Sequence, residues 1–123
     1  MNTTFLVLGS LNAFLAVALG AFGAHGLKAK LSADKLQVYQ TGVQYHSMHA
    51  LGLLLVGMLA GGLEADSLLN AAGWILQIGI VLFSGSLYAL SITGIRKLGA
   101  ITPIGGVCFL AAWVLIGLAA WQG

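Results

Sequence analysis

Four long uncharged, mostly apolar stretches alternate with three short polar gaps along this 123-residue chain. The first gap holds Lys28, Lys30, Asp34 and Lys35, the second Glu64 and Asp66, the third Arg96 and Lys97, and no other residue is an acid, a lysine or an arginine. A hydrocarbon core about 30 Å thick takes roughly 20 helical residues to cross at about 1.5 Å each, and every stretch is that long or longer. The pattern predicts an all-α fold, an integral membrane four-helix bundle. It forms one transmembrane domain over residues 1–123, with spans near 4–25, 42–63, 68–92 and 99–121.

Within the first span, Gly9, Ala13, Ala16, Gly20 and Ala24 form a stripe of small side chains, which suits close backbone approach in lipid. Packing within the chain is the expected use, with a homodimer face as the alternative. Asn12 should point into the bundle, because an amide facing lipid lacks a partner. After the first gap, Ser32 and Asp34 form a helix start: a capping hydroxyl, then a carboxylate at the positive end of the dipole. The uncharged run from Leu36 to Leu63 would be about 42 Å long as one helix, longer than the core. Either helix 2 is strongly tilted or its first turns lie in the interface; Gln37, Gln40, Thr41 and Gln44 fit a midplane poorly, which favours residues 33–43 as a short interfacial amphipathic segment before helix 2. Trp74 and Trp121 occupy interfacial anchor positions. Ser84 and Ser86 fall late in span 3, where hydroxyls commonly bond helix carbonyls, and Pro103 fits the opening turn of span 4.

Composition narrows the class further. Hydrophobic residues make up 59% of the chain and charged ones 7%, outside the range of a water-soluble globule. A net charge of +2 confined to loops excludes the basic stripe of a nucleic-acid surface, so the lipid bilayer is the expected surrounding and no nucleic acid is expected as partner. Cys108 has no second cysteine to pair with and is expected as a small buried side chain. The first apolar stretch lacks the basic flank of a secretory signal and exceeds its usual apolar length, so it is expected to remain as a helix. All five basic residues fall in the first and third gaps and none in the second. The positive-inside rule then puts those gaps in the cytoplasm and both termini outside, in a multi-pass protein of the bacterial cell (inner) membrane.

Candidate chemistry centres on the three histidines, His25 at the end of helix 1 and His46 and His49 early in helix 2. His46 and His49 are spaced for one helix face, half of a metal site, and His25 is the candidate third ligand for zinc, copper or haem iron. No carboxylate or thiol adjoins them to complete the sphere. Structural hydrogen bonding is therefore the expected role of these histidines, a proton-linked or polar-ligand role is the second reading, and metal or haem ligation the third. No nucleophile elbow, phosphate loop, His-Glu-x-x-His pair or intramembrane acid is present, so no catalytic residue is assigned and no cofactor is expected.

Several strings then carry a resemblance: Gly20-Ala21-Phe22-Gly23-Ala24-His25-Gly26-Leu27, Tyr45 with His49-Ala50-Leu51, Phe83-Ser84-Gly85-Ser86-Leu87-Tyr88, and Ile101-Thr102-Pro103-Ile104-Gly105-Gly106. In this order they span nearly the whole chain, which resembles the bacterial YgdD/YwdK family of small multi-span inner-membrane proteins, with mitochondrial relatives in eukaryotes. The resemblance implies a membrane protein without an assigned activity. It points to His25, Tyr45, His49, Ser84, Ser86, Tyr88 and Thr102 as a candidate ligand or polar-network set. Family members often carry Gln after the Tyr, so His46 departs from the pattern and His25 with His49 becomes the couple of interest.

The expected function is a non-enzymatic assembly or interaction protein, a homo-oligomer or part of a larger membrane complex. The alternative is a small-ligand, proton or metal/haem-binding protein with a polar pocket around His25 and His49. The topology is open to a direct test: a reporter fused at Gly123 should be active only outside the cytoplasm, and a cytoplasmic signal would reverse the assignment.

Overall fold

A computed structural model describes residues 1–61 and 66–122. Glu64, the end of the 42–63 span and Gly123 therefore lie outside the described residues. Among these residues the chain folds as four α-helices without strands: α1 (Thr3–Phe22), α2 (Ala33–Leu59), α3 (Asp66–Thr93) and α4 (Thr102–Gln122). A π-helical turn, Gly23–Leu27, extends α1, and a 3₁₀ turn, Arg96–Ala100, leads into α4.

Local chemistry sets the helix ends. The Asn2 side chain accepts from the Phe5 amide at 3.2 Å, and the Ser32 hydroxyl accepts from the Lys35 amide at 3.3 Å, each satisfying one orphan donor of a first turn. Gly94 ends α3 at φ +72°, a left-handed conformation that a side chain would strain, and its amide donates back to the Leu90 carbonyl. Pro103, second residue of α4, sits where a missing amide costs nothing.

The segment expected as an interfacial lead-in is continuous with the second span: both belong to α2, a single helix of 27 residues. Tyr39 and Gly42 explain the difference. Tyr39 is fully buried, donates its hydroxyl to the Leu19 carbonyl of α1 and packs its ring beside Tyr88 of α3. Gly42 lets the Tyr88 ring approach the α2 backbone. These first turns belong to the bundle, so His46 falls at the midpoint of α2 and not in its early part.

In cross-section α2 and α3 form the inner pair. They carry most of the buried residues, while α1 and α4 are largely exposed. The outer helices flank this pair on opposite sides. On one side α1 packs along α2 and reaches α3 through Phe5, which lies against Gly73 and edge-to-face on Trp74. On the other, α4 packs along α3 and reaches α2 through Trp113, beside Gly52. Leu53, Leu69, Leu76, Ile80, Phe109 and Ile116 fill the shared core.

Small residues set the helix spacing, as the stripe on α1 suggests. A Cβ at Gly9 would lie 2.9 Å from the Leu54 amide nitrogen, and one at Gly57 3.0 Å from that of Leu6, so each backbone rests on a glycine of the other. Between α3 and α4 the approach is closer still: a Cβ at Gly105 would collide with the Phe83 backbone nitrogen. Lipid gives no hydrophobic drive for helix association, so such close packing supplies dispersion energy that bulkier residues would forfeit.

The Lys35 ammonium lies beside Gly94, which puts the first and third gaps, with all five basic residues, at one end. At the other end the Asn2 amide donates to the Gly57 carbonyl and the Asp66 carboxylate accepts from the Gly61 amide. Three helical stretches, Thr3–Leu27, Asp66–Thr93 and Arg96–Gln122, are long and apolar enough to cross a membrane unaided. α2 is more polar than these and packs between them.

Gly105→Ala should cost about 1–3 kcal/mol through overpacking against Phe83. Gly117→Ala, where nothing lies within 4 Å, should be neutral or stabilising by up to about 1 kcal/mol. Denaturant unfolding in detergent micelles separates the two.

Candidate functional site: two histidine braces at the centre of the bundle

His46 and His49 are both buried, yet they serve different neighbours. Three residues on a helix turn the side chain back by about 60°, enough to divide a packed face between two flanking elements. His46 points toward α1 and Tyr88 of α3, and His49 toward α4. The spacing that suggested half a metal site therefore produces two separate braces.

Hydrogen bonds fix the state of each ring. Asn12 Nδ2 lies 2.8 Å from the Leu8 carbonyl, which only accepts, so that atom is the amide nitrogen and Oδ1 faces His46. His46 Nε2 must then donate to Asn12 Oδ1 at 3.0 Å, and Nδ1 pairs with the Tyr88 hydroxyl at 2.9 Å, accepting from it when the ring is neutral. The second Asn12 hydrogen goes to Gln77 Oε1 at 2.8 Å. A directional chain results, Tyr88 to His46 to Asn12 to Gln77, joining α1, α2 and α3 at mid-height.

For His49, Nδ1 donates to the Tyr45 carbonyl at 2.7 Å and Nε2 accepts from the Trp113 indole N–H at 3.1 Å. Its ring stacks on Phe109 with centroids 3.5 Å apart and planes 8° from parallel. Tyr45 packs on Phe83, which packs on Phe109, so an aromatic group ties α2, α3 and α4 together. All four ring nitrogens of the two imidazoles are engaged in hydrogen bonds, so neither ring offers a free lone pair to a ligand.

His25 stands apart from both. It is exposed on the π-helical turn, next to Gly23, which rests against Tyr39. His49 lies ten residues beyond Tyr39 along α2, about 15 Å of helical rise, so the His25/His49 couple is not brought together. Among the described residues no three His, Cys, Asp or Glu side chains group as metal ligands. The remaining candidates act between helices. Ser84 donates to the Gly42 carbonyl of α2 at 2.8 Å, and Ser86 meets the Thr102 hydroxyl at 2.6 Å, pinning the end of α3 to the start of α4. Cys108 is half-buried.

Asn12 was legible as an inward amide, whereas Gln77, Phe109 and Trp113 went unremarked as partners. Gln77 and Trp113 did carry a signal: each is a polar group within an apolar span, with the same need for an internal acceptor or donor. Among the described residues no buried side-chain nitrogen or oxygen lacks a hydrogen-bond partner.

Two clefts flank the braces. One, about 310 Å³, opens between α1 and α3 over His46, Asn12, Gln77 and Tyr88. The other, about 550 Å³, opens between α2 and α4 and is walled by Tyr45, His49, Phe83, Phe109 and Trp113.

Apolar helices joined by internally satisfied polar braces define a small helical membrane protein, and comparison with known proteins agrees. Residues 19–106 match the model of a family described as a protein of unknown function, DUF423, and the chain belongs to that family. It is 58% identical over 116 residues to the UPF0382 membrane protein YwdK of Bacillus subtilis, covering 94% of each chain. UPF0382 membrane proteins of Staphylococcus saprophyticus and Staphylococcus epidermidis are 52% and 50% identical, covering 91% and 94% of this chain and 92% and 93% of theirs. No solved structure matches.

His46→Phe should destabilise the bundle by about 1–3 kcal/mol, because Asn12 and Tyr88 each lose a partner. Adding Asn12→Leu should cost less than the sum of the two single changes. A double-mutant cycle by denaturant unfolding in micelles measures that coupling, and strict additivity would contradict the chain.

Proposed function

We propose that this chain is a non-enzymatic protein of the bacterial inner membrane that acts by assembling with other membrane-embedded protein. One contrast carries the reading. Among the described residues the polar groups of the interior are consumed by hydrogen bonds within and between helices, while three amides on the outer face of α2, those of Gln37, Gln40 and Gln44, are exposed. A membrane helix satisfies polar groups internally or against a partner. The five basic residues at one end support a cytoplasmic location for the two gaps they occupy, with both termini on the opposite side.

A second reading is favoured by the cleft over His46, Asn12, Gln77 and Tyr88, whose mixed lining suits a lipid-soluble ligand with a polar head. In it the polar pocket centres on His46, with His25 outside.

The two readings separate on purified protein. Assembly predicts a particle larger than the monomer in nanodiscs, no stoichiometric metal, no Soret band and no co-purifying organic molecule. A monomer carrying a stoichiometric ligand would overturn the first reading in favour of the second.

A further inference from the structure

The outer face of α2 has a composition that points to its occupant. Gln37, Gln40, Gln44, Ser47 and Leu51 follow spacings of three, four, three and four residues, a heptad-type seam over the first two-thirds of the helix, and beyond it Leu54 packs against Gly9 of α1. Thr41 and Ser47, on or beside this seam, turn their hydroxyls back onto the Gln37 and Val43 carbonyls of their own helix. The three glutamines are exposed and bond to no other side chain among the described residues. Gln44 lies nine residues beyond Lys35, about 14 Å along the axis from the basic end, too deep for headgroups to solvate it readily.

We infer that the occupant is a second copy of this chain, its α2 packed parallel to the first about a two-fold axis normal to the membrane. The inference rests on the assembly reading above and supplies its partner. A primary amide both donates and accepts, so each glutamine satisfies its own counterpart across a two-fold. From Leu36 to Leu59 the helix carries no acid, lysine or arginine, so two copies meet without repulsion. Copies inserted the same way meet in parallel, which sets Gln44 against Gln44 and Leu51 against Leu51. A spacing of about 3.5 residues is the repeat at which two helices stay in contact over such a length. Polar residues on such a seam also fix register and the number of strands.

The test uses the full chain with Cys108→Ser in native membrane vesicles. Gln40→Cys and Gln44→Cys should form disulfide-linked dimers on mild oxidation, while Val17→Cys on α1 and Val114→Cys on α4 should not. The triple change Gln37→Leu, Gln40→Leu and Gln44→Leu alters only exposed positions and leaves the interior bonds intact. It should weaken the dimer roughly tenfold or more, read as subunit counts in nanodiscs. A dimer unaffected by the triple change would overturn the inference. So would a photo-crosslinker at Gln44 that joins only a different protein, although assembly itself would then stand. A monomer whose Gln44→Cys reacts freely with a water-soluble thiol reagent would sink both.

Discussion

Every polar group within a lipid-surrounded bundle needs a partner inside it, and His46 and His49 are where that requirement holds the four helices together. One imidazole joins α2 to Asn12 of α1 and Tyr88 of α3, and the other joins it to Trp113 of α4. Neutral rings suit this role because each provides one donor and one acceptor at fixed angles. Leu8 sets the orientation of the Asn12 amide, and the Tyr45 carbonyl and Trp113 indole set the tautomer of His49. The same economy extends to Ser84 and Ser86, whose hydroxyls bind a neighbouring backbone and a neighbouring side chain.

Close packing makes those bonds reachable. Gly9 and Gly57 bring α1 onto α2, and Gly105 brings α4 onto α3, so short side chains such as Asn12 and Thr102 span the gap between helices. Apolar surface facing lipid contributes little to helix association, which leaves dispersion contacts and interhelical hydrogen bonds as the main cohesive terms. The small residues and the polar braces act together. Spreading the helices by one methyl group would weaken both.

Membership of the DUF423 family and the UPF0382 membrane proteins agrees with a helical membrane protein and leaves activity to be argued from this molecule. The ring nitrogens of His46 and His49 are spent on structure. Among the described residues the exposed glutamines of α2 form a group of polar side chains that the bundle does not account for, which moves attention from the centre of the protein to its surface.

Much of the fold was legible because lipid imposes simple rules. Charges cannot enter the core, so the three charged gaps mark the turns, and helices must satisfy their own backbones, so the uncharged stretches are helical. The inward turn of Asn12 and the packing use of the small stripe on α1 follow from the same rules. Rotation of one helix against another is not written in this way. Two histidines three residues apart face one neighbour or two depending on where α1 and α4 sit around α2, and the distance from His25 depends on where Tyr39 docks. Those choices are made by contacts far apart in sequence, such as Asn12 with Gln77 and His49 with Trp113. Charge placement and apolar run length set the helices and the clustering of basic residues. Tertiary structure decided that α2 is one continuous inner helix and that its histidines are braces, because burial and hydrogen bonding act between helices and not along them.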